Sequence, residues 1–335
     1  MSETAAQRPR GLHVNWTAPA TAGRVRDGAE RDVTRLLPAF EVVTQIHSVR
    51  AWRRFHGEVD MYTDLLGLRW LEHWQLTDLY DKVNVDVLSG VDTDAFDPRV
   101  FHTLGKVFAL LATDGPVTWL DTDLYLERPV ANLRGEQFVV AHYEAVGNVI
   151  YPGREKLPDP NGVVNRRWDF DQPATNTAIA YFGSEAHRAA FVRTALAYTA
   201  GNNAPSALHS DVRQAFTEQR ISAFEAVRLG VPIRPVVDTV WDPTDRSWRG
   251  GAPDPAFHHT WREKKRLAQN PQAASGYLRQ QVGRLISRFP DEADRLGRLA
   301  AAGLFHGLAD PAELRSWLIP QLETPRLETP RLETR

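Results

Sequence analysis

The sequence predicts an α/β protein in which a mainly parallel sheet is flanked by helices. Two observations support this prediction. Short apolar segments alternate with amphipathic helical segments from residue 12 onward, and one apolar run ends in two closely spaced aspartates. Such alternation builds a mainly parallel sheet covered by helices, and ligands bind such sheets at the carboxyl ends of the strands. We therefore expect the functional site at that edge.

The first half of the chain changes repeatedly between the two periodicities. Apolar residues at positions 40, 43, 46, 49 and 52 form a helical stripe, and Gly57 follows it as a stop signal. Short apolar or alternating runs are interpreted as strands. The predicted strands are 12–16, 58–63, 82–88 and 117–120, and the predicted helices are 40–56, 65–74 and 98–112.

The second half is less regular. Residues 152–173 are predicted to form a long polar loop that could close over a substrate. The chain ends in an LETPR repeat with too little apolar content to fold. Strands are predicted at 137–142 and 177–182, and helices at 184–200, 205–228 and 272–302. The predicted organisation is a disordered N-terminus (1–11), a catalytic domain (12–266), a helical C-terminal extension (267–320) and a disordered tail (321–335).

Composition limits the class of protein. The chain has 335 residues, of which 42% are hydrophobic and 24% charged, which is enough to bury a full core. A net charge of -2 gives no basic footprint for nucleic acid, and the absence of cysteine excludes disulfides and thiolate chemistry. We find neither an apolar signal segment nor a transmembrane stretch, so we expect a cytoplasmic protein. Abundant alanine and arginine suggest a GC-rich bacterial coding sequence.

An Asp-x-Asp pair, Asp121 and Asp123, lies where the apolar run 117–120 ends. Side chains two residues apart in extended backbone point to the same side. Such charges repel unless a cation neutralises them, and Mn²⁺ or Mg²⁺ prefers oxygen ligands and could then hold a diphosphate. The alternative is that both aspartates only shape a turn. The apolar residues 124–126 favour a metal site, because an unpaired charge in such surroundings is costly.

The segment 120–129, LDTDLYLERP, resembles the metal-binding strand of glycosyltransferases with the nucleotide-sugar-binding GT-A fold. Two branches of that fold are similar. One is the glycogenin and lipopolysaccharide galactosyltransferase type, and the other is the group with a DXD-containing sugar-binding region, which includes initiating mannosyltransferases and capsular polysaccharide enzymes. Residues 176–178 (NTA) resemble the Asn-Ser/Thr-Gly segment of the first branch, and 258–261 (HHTW) resemble the second.

The resemblance covers residues 12–266 and implies a fold and a function. The implied fold is a GT-A-like, Rossmann-type mixed sheet with a helical C-terminal region. The implied reaction moves a sugar from a nucleotide-sugar donor, with UDP-sugar favoured, to an acceptor glycan, natural product or protein. Both branches are mostly retaining, so the resemblance also implies retention of configuration.

The resemblance also assigns roles to individual residues. His259 with Lys265 has the spacing of the His-x-x-Gly-x-x-Lys segment, although Arg262 replaces the glycine. This implies His259 as the third metal ligand, with His258 as the alternative, and Lys265 as a contact to the diphosphate. Lys106, on the helix before the metal strand, is a second candidate contact to phosphate or sugar, and a solvated surface lysine is the other interpretation.

Two further residues are implied at the reacting sugar. Asn176 is expected to hydrogen-bond sugar hydroxyls, although Ala178 replaces the glycine of its segment. Asp211, placed like the acidic residue of the Asp-Gln segment, is expected to stabilise an oxocarbenium-like state. Val212 stands where glutamine would follow, and Glu218-Gln219 is a second possible register. Their structural alternatives are a turn asparagine and a helix N-terminal aspartate.

Residues at the predicted ends of the first two strands form the rim on which a nucleoside could bind. Trp16 could stack on the base, and core packing is its alternative role. The candidates for nucleotide binding at this rim are Asn15, Trp16, Thr17, Thr63 and Asp64.

Two other functional classes stay open. A phosphatase of the haloacid dehalogenase type also carries Asp-x-Asp after an apolar strand, with the first aspartate as nucleophile. That motif usually lies near the N-terminus and has threonine or valine where this chain has Tyr125. A protein that binds nucleotide sugars without catalysis is the second alternative.

Overall fold

The computed structural model describes residues 9–21, 36–202 and 210–306. The LETPR tail, residues 307–320 of the predicted C-terminal extension, residues 1–8 of the predicted N-terminal segment and residues 205–209 of a predicted helix lie outside the described residues. The division into domains remains a prediction. No described helix is long and apolar enough to span a membrane.

A nine-stranded mixed sheet forms the centre of the described structure. Its strands run in the order β10-β9-β6-β7-β4-β1-β2-β3, and β8 also pairs with β6. β1 pairs in parallel with β2 and β4, whereas β7 is antiparallel to both β4 and β6. The strands are β1 (Arg10–Asn15), β2 (Val59–Thr63), β3 (Lys82–Asn84), β4 (Val117–Leu120), β6 (Phe138–Glu144), β7 (Ala174–Phe182), β8 (Ile233–Pro235), β9 (Val240–Asp242) and β10 (Ser247–Arg249).

Two further strands form a separate antiparallel ribbon, β5 (Leu124–Leu126) with β11 (Phe257–His259). Helices connect and cover the strands. They are α1 (Ala18–Thr21), α2 (Ala39–Phe55), α3 (Leu65–His73), α4 (Asp86–Ser89), α5 (Leu104–Leu111), α6 (Glu185–Thr199), α7 (Ser210–Ala215), α8 (Ile221–Arg228), α9 (Lys264–Gln269), α10 (Pro271–Arg288) and α11 (Ala293–Ala301).

Helices cover both faces of the sheet, and alternate residues of each strand pack on opposite sides. Leu120 joins a core with Ile46 of α2 and Leu278 of α10, whereas its neighbour Trp119 joins a core with Phe191 of α6. Successive side chains of a strand point to opposite faces, so a strand covered on both sides is apolar throughout. All four residues of β4 are buried, as this arrangement requires.

The predicted fold class is confirmed, and most predicted elements are present with end points shifted by a few residues. The predicted strand 82–88 is partly wrong. It stops at Asn84, whose side-chain oxygen accepts a hydrogen bond from Val87 N–H at 3.2 Å and starts a short helix. The predicted helix 272–302 is two helices, because Pro290 lacks the N–H that a continuous helix needs.

Two other predicted elements have different limits. The predicted helix 98–112 begins only at Leu104, after a series of turns. The predicted strand 177–182 begins at Ala174, so Asn176 lies inside the strand. Between α7 and α8, Phe216–Arg220 forms a π-helical turn, and such turns often occur at functional sites.

Candidate active site at the carboxyl edge of the sheet

Asp121 and Asp123 lie immediately after β4, near the middle of the sheet. The Asp121 N–H donates to the Ala178 carbonyl of β7 at 2.9 Å, so sheet pairing continues as far as this residue. The Leu124 N–H then donates to the Asp121 carbonyl at 3.1 Å and closes a turn into β5. Both aspartates therefore occupy the edge at which the sequence predicts a ligand site.

The ribbon of β5 and β11 brings His259 to the two aspartates. His259 lies opposite Leu124 in the antiparallel register, and the next residue, Thr260, donates its N–H to the Asp123 carbonyl at 3.0 Å. These contacts join two segments that are more than 130 residues apart in the sequence. Backbone pairing, rather than side-chain attraction alone, fixes the position of the imidazole.

Asp121, Asp123 and His259 each offer one ligand atom, and these atoms lie within 4.8 Å of one another. The His259 Nε2 is 3.4 Å from Asp123 Oδ1 and 3.6 Å from Asp121 Oδ2. The His259 Nε2 is buried without a hydrogen bond, although it faces both carboxylates. Buried polar atoms normally have a partner, so this group of atoms fits a site for a cation.

The site strongly perturbs its titratable groups. Burial lowers the pKa of His259, but the charges of Asp123 and Asp121 outweigh it, so the pKa is raised. Burial raises the pKa of Asp123, but His259 and Lys264 lower it by more, so this carboxyl stays charged far below its usual range. Perturbed groups that converge in this way are typical of functional sites.

Two lysines contact the carboxylates. The Lys106 Nζ lies 2.5 Å from Asp121 Oδ1 and 3.0 Å from Glu218 Oε1, and burial lowers its pKa less than these two carboxylates raise it. The Lys264 Nζ lies 3.2 Å from Asp123 Oδ2 and 2.9 Å from Glu41 Oε2. Four carboxylates thus share two ammonium groups. When His259 is neutral, the carboxylates leave an excess of negative charge that one divalent ion would balance.

His258 and His259 have different surroundings, and so do Lys264 and Lys265. His258 points to the other side of the ribbon, where its Nε2 lies 2.6 Å from the Tyr277 hydroxyl and its ring stacks on Tyr125. Lys265 is exposed, and its neighbour Lys264 is the lysine that contacts Asp123. The resemblance implied Lys265, whereas the structure places its neighbour Lys264 beside Asp123.

Of the two candidate acidic residues, Glu218 is the one at the site. It lies in the π-helical turn, where it contacts Lys106 and accepts a short hydrogen bond from the Thr177 hydroxyl. Asp211 is exposed at the start of α7. The structure therefore brings Glu218, from the second possible register, beside the candidate metal site, and the role predicted for Asp211 remains untested.

Asn176 lies in a buried polar network on the adjacent strands. Its Nδ2 donates to Glu144 Oε1 at 2.6 Å, and its Oδ1 accepts from Ala178 N–H at 3.1 Å. The Tyr151 hydroxyl donates to Glu144 Oε2 at 2.7 Å and is also in short contact with the Gln219 side chain. The network therefore links Asn176 to the π-helical turn that carries Glu218. Glu144 and Tyr151 were not predicted from the sequence.

The five rim residues lie at the carboxyl ends of β1 and β2, as predicted, and the side chains of Thr17, Thr63 and Asp64 make contacts within the protein. The Asp64 carboxylate accepts hydrogen bonds from Thr17 N–H at 2.8 Å and Gly67 N–H at 2.9 Å, which caps α3 and ties it to β1. The Thr63 hydroxyl donates to the Asn15 carbonyl at 2.7 Å.

Two rim side chains are still candidates for nucleotide contact. Trp16 is 8% exposed and packs against α5, where a Cβ on Gly105 would lie only 2.9 Å from the tryptophan Cβ. The Asn15 Nδ2 is buried without a hydrogen-bond partner. Nucleotide binding by the rim remains a prediction.

No protein-family model matches the chain, and no curated protein matches it in sequence. The chain is similar to solved structures of mouse xyloside xylosyltransferase 1 (9% identity, 68% of this chain, 84% of that chain, TM-score 0.35) and of a WbbM bifunctional glycosyltransferase (12%, 64%, 38%, 0.31). It is also similar to the inositol-1-phosphate CTP transferase from T. maritima (9%, 70%, 86%, 0.30).

Proposed function

We propose that this protein is a glycosyltransferase that moves a sugar from a nucleotide-sugar donor, with UDP-sugar favoured, to an acceptor glycan, natural product or protein. The observation that carries this proposal is the convergence of Asp121, Asp123 and His259 at the carboxyl edge of the sheet. An α/β sheet binds its ligands at that edge, and mixed oxygen and nitrogen ligands suit Mn²⁺ or Mg²⁺.

The residues present fit a divalent cation. The buried His259 Nε2 lacks a hydrogen bond, and the four carboxylates of the site exceed its two lysines. The ion, held by the two aspartates and His259, would supply positive charge for the diphosphate of the donor.

The lysines of the site give positive charge that is fixed before substrate arrives. Lys106 is held by Asp121 and Glu218, and Lys264 is held by Asp123 and Glu41, so both ammonium groups are charged and oriented. Preorganised charge of this kind stabilises negative charge that develops on a leaving group. We assign this role to Lys106 and Lys264. The same role for Lys265 rests on the resemblance alone.

Glu218 and Asn176 are proposed to face the transferred sugar. Glu218 and the proposed metal ligand Asp121 both contact Lys106. Asn176 is oriented by its hydrogen bond to Glu144. A carboxylate close to the sugar would stabilise an oxocarbenium-like state, and an amide would bind hydroxyls. Retention of configuration, as the resemblance implies, belongs to the same proposal.

Product analysis tests the proposal and separates it from the alternatives. The full-length protein is incubated with UDP-glucose, UDP-galactose, UDP-xylose and GDP-mannose in Mn²⁺, and the released phosphorus compounds are identified. Release of UDP or GDP with free or transferred sugar supports glycosyl transfer. Release of inorganic phosphate from phosphomonoesters would instead indicate a phosphatase, and release of pyrophosphate from CTP or UTP would indicate a nucleotidyltransferase. Nucleotide binding without any turnover would indicate a non-catalytic binding protein.

A further inference from the structure

A cavity of about 780 Å³ lies on a part of the molecule that the proposed reaction does not use. The segment after β5, the start of β6 and the β8 region form its walls. Cavities that bind small molecules commonly have volumes of this order. The cavity is therefore large enough for a ligand of its own.

The walls carry an excess of positive charge. Arg128, Arg134 and Arg234 line the cavity, and the only acidic residue of the lining is Glu136. Among the described parts of the chain, none of these arginines has a carboxylate within salt-bridge distance. All three are exposed, in a protein whose net charge is -2. Guanidinium groups bind phosphate and carboxylate in a two-pronged geometry, so three free guanidinium groups around one cavity favour an anion.

Buried apolar side chains form the floor of the cavity. Val139 and Val130 are 3% and 7% exposed, and prolines 129, 232 and 235 stiffen the surrounding backbone. Apolar side chains cannot accept hydrogen bonds from the guanidinium groups, so these groups stay available to a ligand. The cavity therefore has a cationic rim above an apolar floor.

The cavity is separate from the metal site. Phe138, at the start of β6, and Val117, at the amino end of β4, both pair with Phe182 of β7. Phe138 therefore lies at the amino edge of the sheet, whereas Asp121 follows the carboxyl end of β4. Arg128 lies five residues beyond Asp123 along the ribbon, which corresponds to roughly 15 Å in extended backbone. A ligand in the cavity would therefore lie near the opposite edge of the sheet.

We propose that this cavity is a second binding site, for a small molecule that carries two or more anionic groups such as phosphates. The arginines bind the charges, and the apolar floor contacts the remainder of the ligand. The proposal does not depend on the glycosyltransferase activity, because none of its residues belongs to the metal site.

Calorimetric titration of inorganic tripolyphosphate into the full chain, in EDTA to remove metal ions, tests the proposal. The cavity variant is Arg128→Gln, Arg134→Gln, Arg234→Gln. A matched variant, Arg166→Gln, Arg167→Gln, Arg193→Gln, removes three arginines that are also exposed but lie outside the cavity. A third variant, Lys106→Gln, Lys264→Gln, removes the ammonium groups of the metal site. Circular dichroism establishes that each variant is folded.

The expected result is a salt-sensitive affinity that falls about tenfold or more in the cavity variant and changes little in the other two, because each lost guanidinium removes a charge-assisted hydrogen bond. Orthophosphate should bind more weakly than tripolyphosphate. Absence of binding by the wild type, an equal loss in the matched arginine variant, or loss only in the lysine variant would overturn the proposal.

Discussion

The tripeptide Asp-Thr-Asp occurs twice in this protein, at 92–94 and at 121–123, and the two copies have different surroundings. Asp92 and Asp94 are exposed, and the Asp92 Oδ1 accepts hydrogen bonds from the N–H groups of Asp94 and Ala95. Asp123 is 5% exposed and faces an imidazole and an ammonium group. The first copy shapes a turn, as aspartates often do.

The difference arises from what precedes and follows each tripeptide. The second copy follows a fully buried strand and precedes the ribbon that returns His259 to it, whereas the first copy lies in a series of turns. Burial makes an unpaired charge costly, so the second pair must have cationic partners. The tripeptide alone therefore does not define the site. The strand before it and the partners around it do.

Substitution of the aspartates should affect turnover very differently in the two tripeptides. We expect Asp121→Asn, Asp123→Asn to reduce nucleotide-sugar turnover on the order of 100-fold or more, because ligand loss removes charge at the diphosphate. Asp92→Asn, Asp94→Asn should retain turnover near that of the wild type. The rate of UDP release, measured with both variants shown to be folded, checks this. Equal losses in the two variants would remove the distinction.

The next largest change in turnover is expected at Lys264, and its neighbour Lys265 provides the matched control. Lys264→Gln should reduce turnover roughly tenfold, because it removes one preorganised ammonium group, and Lys265→Gln should leave turnover almost unchanged. The steady-state rate of UDP release for each variant is the measurement. The reverse order would show that the lysine implied by the resemblance, rather than the one at Asp123, contacts the diphosphate.

A third comparison concerns the two acidic registers. Glu218→Gln should lower kcat by roughly tenfold with a smaller change in KM for the donor, because it alters charge next to the reacting sugar. Asp211→Asn should change neither by more than a factor of about two. Steady-state kinetics on both variants measure the difference. A larger loss in Asp211→Asn would support the register that the resemblance favours.

The last effect concerns acid stability and His187, a buried histidine of α6. Burial lowers the pKa of His187 to about 4, and one ring nitrogen donates to the Ser222 carbonyl. His187 is therefore protonated near pH 6.5 in the unfolded chain but only near pH 4 in the folded chain. This contribution to stability is complete above pH 6.5 and is lost as the pH falls towards 4.

The matched variant for this effect is His187→Gln, which keeps a hydrogen-bond donor and removes the titration. The free energy of unfolding should fall less between pH 7 and pH 5 in the variant than in the wild type. Urea titrations at the two pH values measure this. An identical fall in both proteins would contradict the assignment.

Sequence reasoning was most successful where the signal is local. The strand–Asp-x-Asp segment predicted a carboxyl-edge site because a buried strand and two charges are adjacent in the chain. His259 required the resemblance, since the pairing of β11 with β5 joins distant segments. The choice between Lys264 and Lys265 depends on how α9 begins, and two adjacent lysines give no signal for it.

The acidic partner could not be chosen from the sequence for a different reason. The π-helical turn at Phe216–Arg220 adds a residue to one turn of helix and so rotates the side chains that follow. Glu41 and Glu144 reach the site from α2 and β6, and their roles depend on long-range packing that has no sequence motif.

The most direct test of the central claim is calorimetry of UDP binding in Mn²⁺ and in EDTA, for the wild type, Asp121→Asn, Asp123→Asn and Asp92→Asn, Asp94→Asn. We expect binding that requires Mn²⁺, is retained in Asp92→Asn, Asp94→Asn and is lost in Asp121→Asn, Asp123→Asn. Metal-independent binding, or absence of nucleotide binding by the folded wild-type protein with both UDP and GDP, would contradict it.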